Sequence, residues 1–206
     1  MDERMLLTLV QADEEMMSEL RAVSSLRLPD WWIAAGFVRS KLWDVLSGTT
    51  SRTRLPDVDV IYFDAADPDE SIEKQYEAEL RRRMPNVPWS VKNQARMHAV
   101  NDRSPYRSSL DAVANYPETA TALALTLDDA GLPMLGAPHG LADAVAMRIA
   151  PTPAFAADPA LQAIFERRID AKRWDRIWPG VSYERRLQSN QRVERIDAGE
   201  ARVVPD

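Results

Sequence analysis

The sequence predicts an α+β domain in which a mixed β-sheet is flanked by helices and carries helices from both ends of the chain. Three observations support this. Short runs rich in β-branched and aromatic residues, at 31–35, 57–64, 87–93 and 119–127, are separated by stretches of helical periodicity. The run from Asp57 to Asp64 is apolar on both faces, as in a strand covered on two sides. Helical patterning also occupies both ends, from Asp2 to Leu26 and from Pro159 to Trp178.

At 206 residues, with 45% hydrophobic side chains, the chain can build a sizeable core. A single domain is expected over residues 1–188, followed by a flexible polar tail over 189–206. There is no cysteine, which excludes disulfides, thiolate nucleophiles and cysteine-held metals. The two histidines, His98 and His139, cannot make a metal site by themselves. No apolar run approaches membrane length, and Met1-Asp2-Glu3-Arg4 lacks the basic start of a signal peptide, so a cytoplasmic protein without a membrane partner is expected. A net charge of −6 argues against a general DNA-binding surface and favours small substrates over polymers.

The N-terminal helical stretch divides into two segments and stops at Leu28-Pro29-Asp30. Trp31 to Ala35 then reads as a strand closed by Gly36, and Phe37 to Leu46 as a helix ended by Ser47-Gly48. A glycine where a strand turns into a helix admits a phosphate close to the backbone, at the positive end of the helix dipole. Arg39 and Lys41 in the first turns either add contacts to such a phosphate or belong to a solvated helix face. A polar loop, 48–56, contains Arg52 and Arg54, which either steer phosphates or decorate the loop.

In the strand that follows, Asp57 and Asp59 fall on one face, roughly 7 Å apart at about 3.3 Å per residue. That separation suits one or two divalent cations, and hard oxygen ligands favour Mg²⁺ or Mn²⁺ over zinc. The alternative is ordinary surface charge at a solvated strand end. Asp67 reads as the cap of a helix over Pro68 to Met84, and Val87 to Asn93 as the next strand. Within Gln94 to His98, Arg96 and His98 are candidates for substrate contact or for satisfying loop backbone groups. A short helix over Ser109 to Asn115, a strand over Thr119 to Leu127 and a hairpin return over Leu132 to Ala137 follow. Residues 140–149 fit helix or strand, Pro151-Thr152-Pro153 reads as a linker, and the last helix carries arginines outward.

The order Trp31-Trp32-Ile33-Ala34-Ala35-Gly36-Phe37-Val38-Arg39, then Trp43-Asp44, then Asp57-Val58-Asp59-Val60 resembles the signature of the polymerase-β-type nucleotidyltransferases. With Asn93 to His98 and the strand from Thr119, it is similar to a family of small bacterial nucleotidyltransferase-like proteins over roughly residues 5–180. The resemblance implies the nucleotidyltransferase fold and Mg²⁺-dependent transfer of a nucleoside monophosphate from an NTP to a small-molecule, RNA or protein acceptor. It implies two metal ions on Asp57 and Asp59, with the phosphates at Gly36 and neighbouring helix amides such as that of Phe37. The sequence departs from the pattern in three places. Phe37 stands where a serine or glycine is usual, Gly36 and Asp57 are 57 − 36 = 21 residues apart, and Asn93 stands where a third carboxylate is expected. These departures frame the rival expectation, a degenerate module that binds nucleotide or a protein partner without turnover.

Overall fold

The computed structural model describes residues 1–100 and 103–185. The expected tail over 189–206 and the end of the expected domain, 186–188, lie outside the described residues. Helices α1 (Glu3–Gln11) and α2 (Glu14–Ser24) open the chain. Each starts at an aspartate, Asp2 or Asp13, whose carboxylate accepts a backbone N–H three residues on. There follow β1 (Trp32–Ala34), α3 (Gly36–Leu46), β2 (Val58–Tyr62), α4 (Glu70–Arg83), β3 (Trp89–Asn93), α5 (Gln94–Val100) and α6 (Ser109–Ala114). The second half holds β4 (Ala124–Leu127), β5 (Pro133–Gly136), α7 (Ala142–Val145), β6 (Arg148–Ile149), α8 (Pro153–Ala157), α9 (Pro159–Lys172) and β7 (Ser182–Tyr183).

The five-stranded sheet has the order β3-β2-β1-β4-β5, and β6 pairs with β7 separately. It is mixed, with β2 and β3 parallel and the other neighbours antiparallel. This is the α+β architecture expected from the sequence. The two faces of β2 are covered unequally. Val58, Val60 and Tyr62 enter the main core with α1, α2, α3 and the C-terminal tryptophans, whereas Ile61 joins a small cluster with Ala34, Ala35, Val113, Ala122 and Ala124. Asp57 and Asp59 share the face of Ile61, the side with less apolar cover.

Four expectations need correction. Asp69, not Asp67, caps α4, its carboxylate accepting from Ser71 N at 2.8 Å. The strand expected from Thr119 begins at Ala124, because 118–122 close a turn through Ala122 N to Glu118 O at 3.0 Å. Pro151-Thr152-Pro153 is no linker: Pro151 bridges Glu118, Thr152 is fully buried and Pro153 starts α8. The last helix stops at Lys172, since Arg173 turns left-handed with φ 44°, and Trp174–Arg176 continue as one 3₁₀ turn. The undecided stretch, 140–149, supplies both a helix and a strand.

Trp43 of α3 is fully buried, with Trp174 and Trp178 edge-on at 6.3 and 5.1 Å between ring centroids. Its indole N–H donates to Ala144 O at 2.9 Å. This cluster ties the C-terminal segment to the first βα unit. Trp43→Ala should therefore cost about 3–5 kcal/mol of unfolding free energy, measured by urea denaturation. A loss under 1 kcal/mol would mean that the C-terminal segment is not part of the cooperative core.

Candidate active site

The site follows from strand register. β1 and β2 run antiparallel with Ala34 opposite Asp59, so the turn out of β1 brings Gly36, the first residue of α3, to the cleft of Asp57, the residue before β2. The turn is made at Ala35, whose φ of 57° and ψ of −116° are rare for a residue with a Cβ. Ala35 N–H donates to Leu123 O at 2.8 Å, which holds the turn against the chain entering β4. The glycine therefore does not relieve backbone strain. A Cβ on Gly36 would sit 3.6 Å from the Arg39 guanidinium and 3.7 Å from Leu55, in ordinary contact. It would project between two groups that line a cleft of about 280 Å³.

Asp57 and Asp59 line this cleft together with Gly36, Arg39, Arg54, Thr121, Arg168, Lys172, Trp174, Ile177 and Trp178. Asp57 is exposed at its rim and Asp59 half-buried deeper in. Burial, and then the like charge of Asp57, push the Asp59 carboxyl up to about 6, against a hydrogen bond from Ser90 and the attraction of Arg168 and Lys172. Ser90 is Asp59's neighbour on β3. A half-buried carboxylate with a second acid beside it is a receptor for positive charge, which fits a hard divalent cation. Among the described residues no third carboxylate or imidazole completes a cluster. A magnesium ion held by this pair would take its other ligands from water and substrate phosphates, the usual arrangement for that ion.

The cationic side of the cleft comes from two distant parts of the chain. Arg39 is buried, with its guanidinium 4.6 Å from the ring centre of Trp174 and 5.2 Å from that of Trp43. It donates to Thr121 Oγ1 at 3.1 Å, while its Nε has no hydrogen-bond partner among the described residues. Burial lowers its pKa to about 10, with Glu118 acting in the opposite direction, so it stays charged at neutral pH. Arg168, on α9, is held by the fully buried Glu118. Lys172 follows one turn later on the same helix.

The remaining predicted residues lie elsewhere. Phe37 packs its side chain in the core, under Arg52, and is not among the residues that line the cleft. Lys41 is paired with Asp13 at 2.7 Å, away from the acidic pair. Arg52 is bound by Glu15 and Glu19, whereas Arg54 lines the cleft. Arg96 forms two 2.7 Å bonds to the fully buried Glu73, and His98 packs edge-on against Tyr106. Asn93 stands opposite Tyr62, three residues beyond the partner of Asp59. Its amide is fully buried, accepting from Asp64 N and Ala95 N and donating to Asp64 O and Asp67 O. These contacts lock the end of β3 to the loop after β2, a structural task. The sequence reading missed Arg168, Lys172, Trp174, Trp178 and Thr121. For Arg168 and Lys172 the available signal was their spacing of four, which puts both on one face of α9.

With this geometry in view, a family model described as Nucleotidyltransferase matches residues 21–183. A solved structure described as an NMR structure that reveals a CCA-adding enzyme head domain superposes with a TM-score of 0.81 at 31% identity, covering 90% of this chain and 97% of that one. The Thermotoga maritima CCA-adding enzyme complexed with tRNA matches with a TM-score of 0.52 at 15% identity, over 89% of this chain and 42% of its own. A CCA-adding enzyme with ATP matches at 0.51 and 14%, over 86% and 42%. The chain thus spans under half the length of these two larger proteins, whose likeness concerns the fold. A search of the curated proteins found no match.

Two expected outcomes follow from the site. Ionised Asp59 costs stability, because its folded value near 6 lies above the ordinary 3.8; the cost is absent below about pH 3.8 and full above about pH 6. Asp59→Asn without metal should therefore melt above wild type at pH 7.5 and close to it at pH 4, as read by thermal unfolding. Asn93→Ala removes a buried amide that serves four partly buried or exposed backbone groups and should cost about 1–3 kcal/mol in urea unfolding, with Mg·NTP affinity of the folded protein unchanged.

Proposed function

This chain belongs to the nucleotidyltransferase family, and on that footing we propose that it transfers a nucleoside monophosphate from a magnesium-bound NTP to an acceptor hydroxyl at the cleft of Asp57 and Asp59. The observation that carries this reading is the convergence, in one cleft, of an acidic pair from β2 with cations from α3 and α9. Acids and fixed cations side by side match a metal–triphosphate, which carries both signs of charge; either set alone would suit a simpler ion.

Asp57 and Asp59 hold the magnesium. The ion that these two carboxylates would hold would supply charge neutralisation at the α-phosphate, activation of the acceptor oxygen and stabilisation of the leaving pyrophosphate. Arg39, Arg168 and Lys172 bind the triphosphate oxygens, and Gly36 lets them approach the N-terminal turn of α3. Glu118 and the Trp43 and Trp174 rings fix the two arginines before substrate arrives, so little ordering is left for binding. Trp174, Ile177 and Trp178 exclude water from one wall. The acceptor hydroxyl gives its proton to solvent, its oxygen forms a bond to the α-phosphorus as the bond from that phosphorus to the α–β bridging oxygen breaks, and pyrophosphate leaves. The likeness to a CCA-adding head domain favours an RNA end as acceptor over a small molecule or protein hydroxyl.

The test is pyrophosphate release from each Mg·NTP with and without short RNA. Asp57→Asn and Asp59→Asn should each lower kcat/KM by about 10³-fold or more, and chelation should abolish turnover until Mg²⁺ or Mn²⁺ is restored. Turnover unaffected by both substitutions would refute the assignment. NTP binding without pyrophosphate release would favour the non-catalytic reading, for which the missing third carboxylate speaks. Gly36→Ala fills only the phosphate approach, so it should melt like wild type yet raise the KM for NTP about tenfold.

A further inference from the structure

Trp43-Asp44 is the part of the sequence signature that the proposed chemistry leaves unused. Trp43 is accounted for by packing; Asp44 is a buried carboxylate next to it that does not itself line the cleft. Its bonds join three separate parts of the cleft wall. Oδ1 accepts from Thr53 Oγ1 at 2.6 Å and from the Trp178 indole N–H at 2.8 Å, and Oδ2 accepts from Thr53 N at 2.8 Å. Its own carbonyl accepts from Thr49 N at 2.8 Å.

The groups it joins all bear on the cleft. Thr53 opens the segment Thr53-Arg54-Leu55-Pro56 that forms one lip, Trp178 lines the cleft next to it, since both bond the same oxygen of Asp44, and Asp44 rides on α3, whose first turn also lines the cleft. The loop from 48 to 56 joins α3 to the chain entering β2. It runs between helix and strand without regular structure, so its course depends on side-chain ties. Arg52 supplies one tie, to Glu15 and Glu19 outside the cleft; Asp44 supplies the tie nearest the cleft.

We propose that Asp44 is a positioning residue that fastens the 48–56 lip and Trp178 to each other and to α3, so that this side of the cleft is fixed in shape before NTP binds. The proposal rests on the nucleotidyl-transfer reading of the same cleft. It assigns Asp44 to substrate affinity and not to the chemical step. A carboxylate is required at this position because three donors converge on it. An asparagine offers one acceptor oxygen, and its amide would meet Thr53 N–H donor to donor.

The test compares wild type with Asp44→Asn and Thr53→Val. In Asp44→Asn we expect trypsin to cut after Arg54 about tenfold faster, tryptophan emission to shift to the red, and the KM for NTP to rise about tenfold with kcat within about threefold. Thr53→Val keeps the carboxylate and the Trp178 bond; it should loosen the lip by a smaller factor and leave emission unchanged. Cleavage and emission like wild type in Asp44→Asn would overturn the proposal, and so would a fall in kcat at constant KM. If Asp44→Asn lacks cooperative unfolding, cleavage of Thr53→Val at the wild-type rate overturns it and faster cleavage supports it. Cleavage and emission are read without nucleotide, so an inactive wild type would refute the transfer reading while these two measurements still judge Asp44.

Discussion

Two carboxylates on one face of a central strand impose a constraint that the surrounding structure answers. Asp59 is half-buried one pleat from Asp57, and burial with the like charge of its neighbour raises its pKa to about 6. A protein can meet such a cost with an ion pair, with protonation or with a bound cation. Here Arg168 and Lys172 attract Asp59 without forming an ion pair with it, and Arg168 is committed to Glu118. The balance leaves the acidic pair short of positive charge, which favours a metal ion arriving with substrate.

The same constraint explains the distribution of cations. Arg39 and Arg168 are each held by groups outside the acidic pair, Arg39 by tryptophan rings and Thr121, Arg168 by Glu118. Collapsing onto Asp57 and Asp59 would neutralise the site and close it to a metal–triphosphate. Fixed apart, the two signs of charge remain available for the two parts of such a substrate. Preorganised charge of this kind needs no rearrangement during reaction and carries much of the catalytic effect in phosphoryl transfer.

Much of this was legible in the sequence, for physical reasons that can be named. Alternation along the chain entering β2 put Asp57 and Asp59 on one face, and Gly36 marked the point where β1 turns into α3, beside the same cleft. The register that places these features together also follows from a short antiparallel pair, Ile33 with Val60 and Ala34 with Asp59. The sequence did not reveal that α9 returns to the cleft, because an arginine pointing into a site and one pointing into water look alike in a periodic pattern. Lys41, Arg96 and Asn93 were open to two readings for a related reason. Each is a polar residue near a motif, but Asp13, Glu73 and the backbone of the Asp64 loop claim them. Ala35 carries the strain of the βα turn, which no single-residue preference would have assigned to it.

The central claim is that Asp57 and Asp59 bind a divalent cation that is bridged to a triphosphate held by α3 and α9. The most direct measurement is a titration with Mn²⁺ in the presence of a non-hydrolysable NTP, following paramagnetic broadening of assigned backbone amide resonances. Loss of the Gly36, Asp57, Asp59 and Arg168 signals first, abolished by Asp57→Asn/Asp59→Asn, is the result this account predicts. Broadening that begins around Asp13, Glu15 and Glu19, or that survives the double substitution, would contradict it.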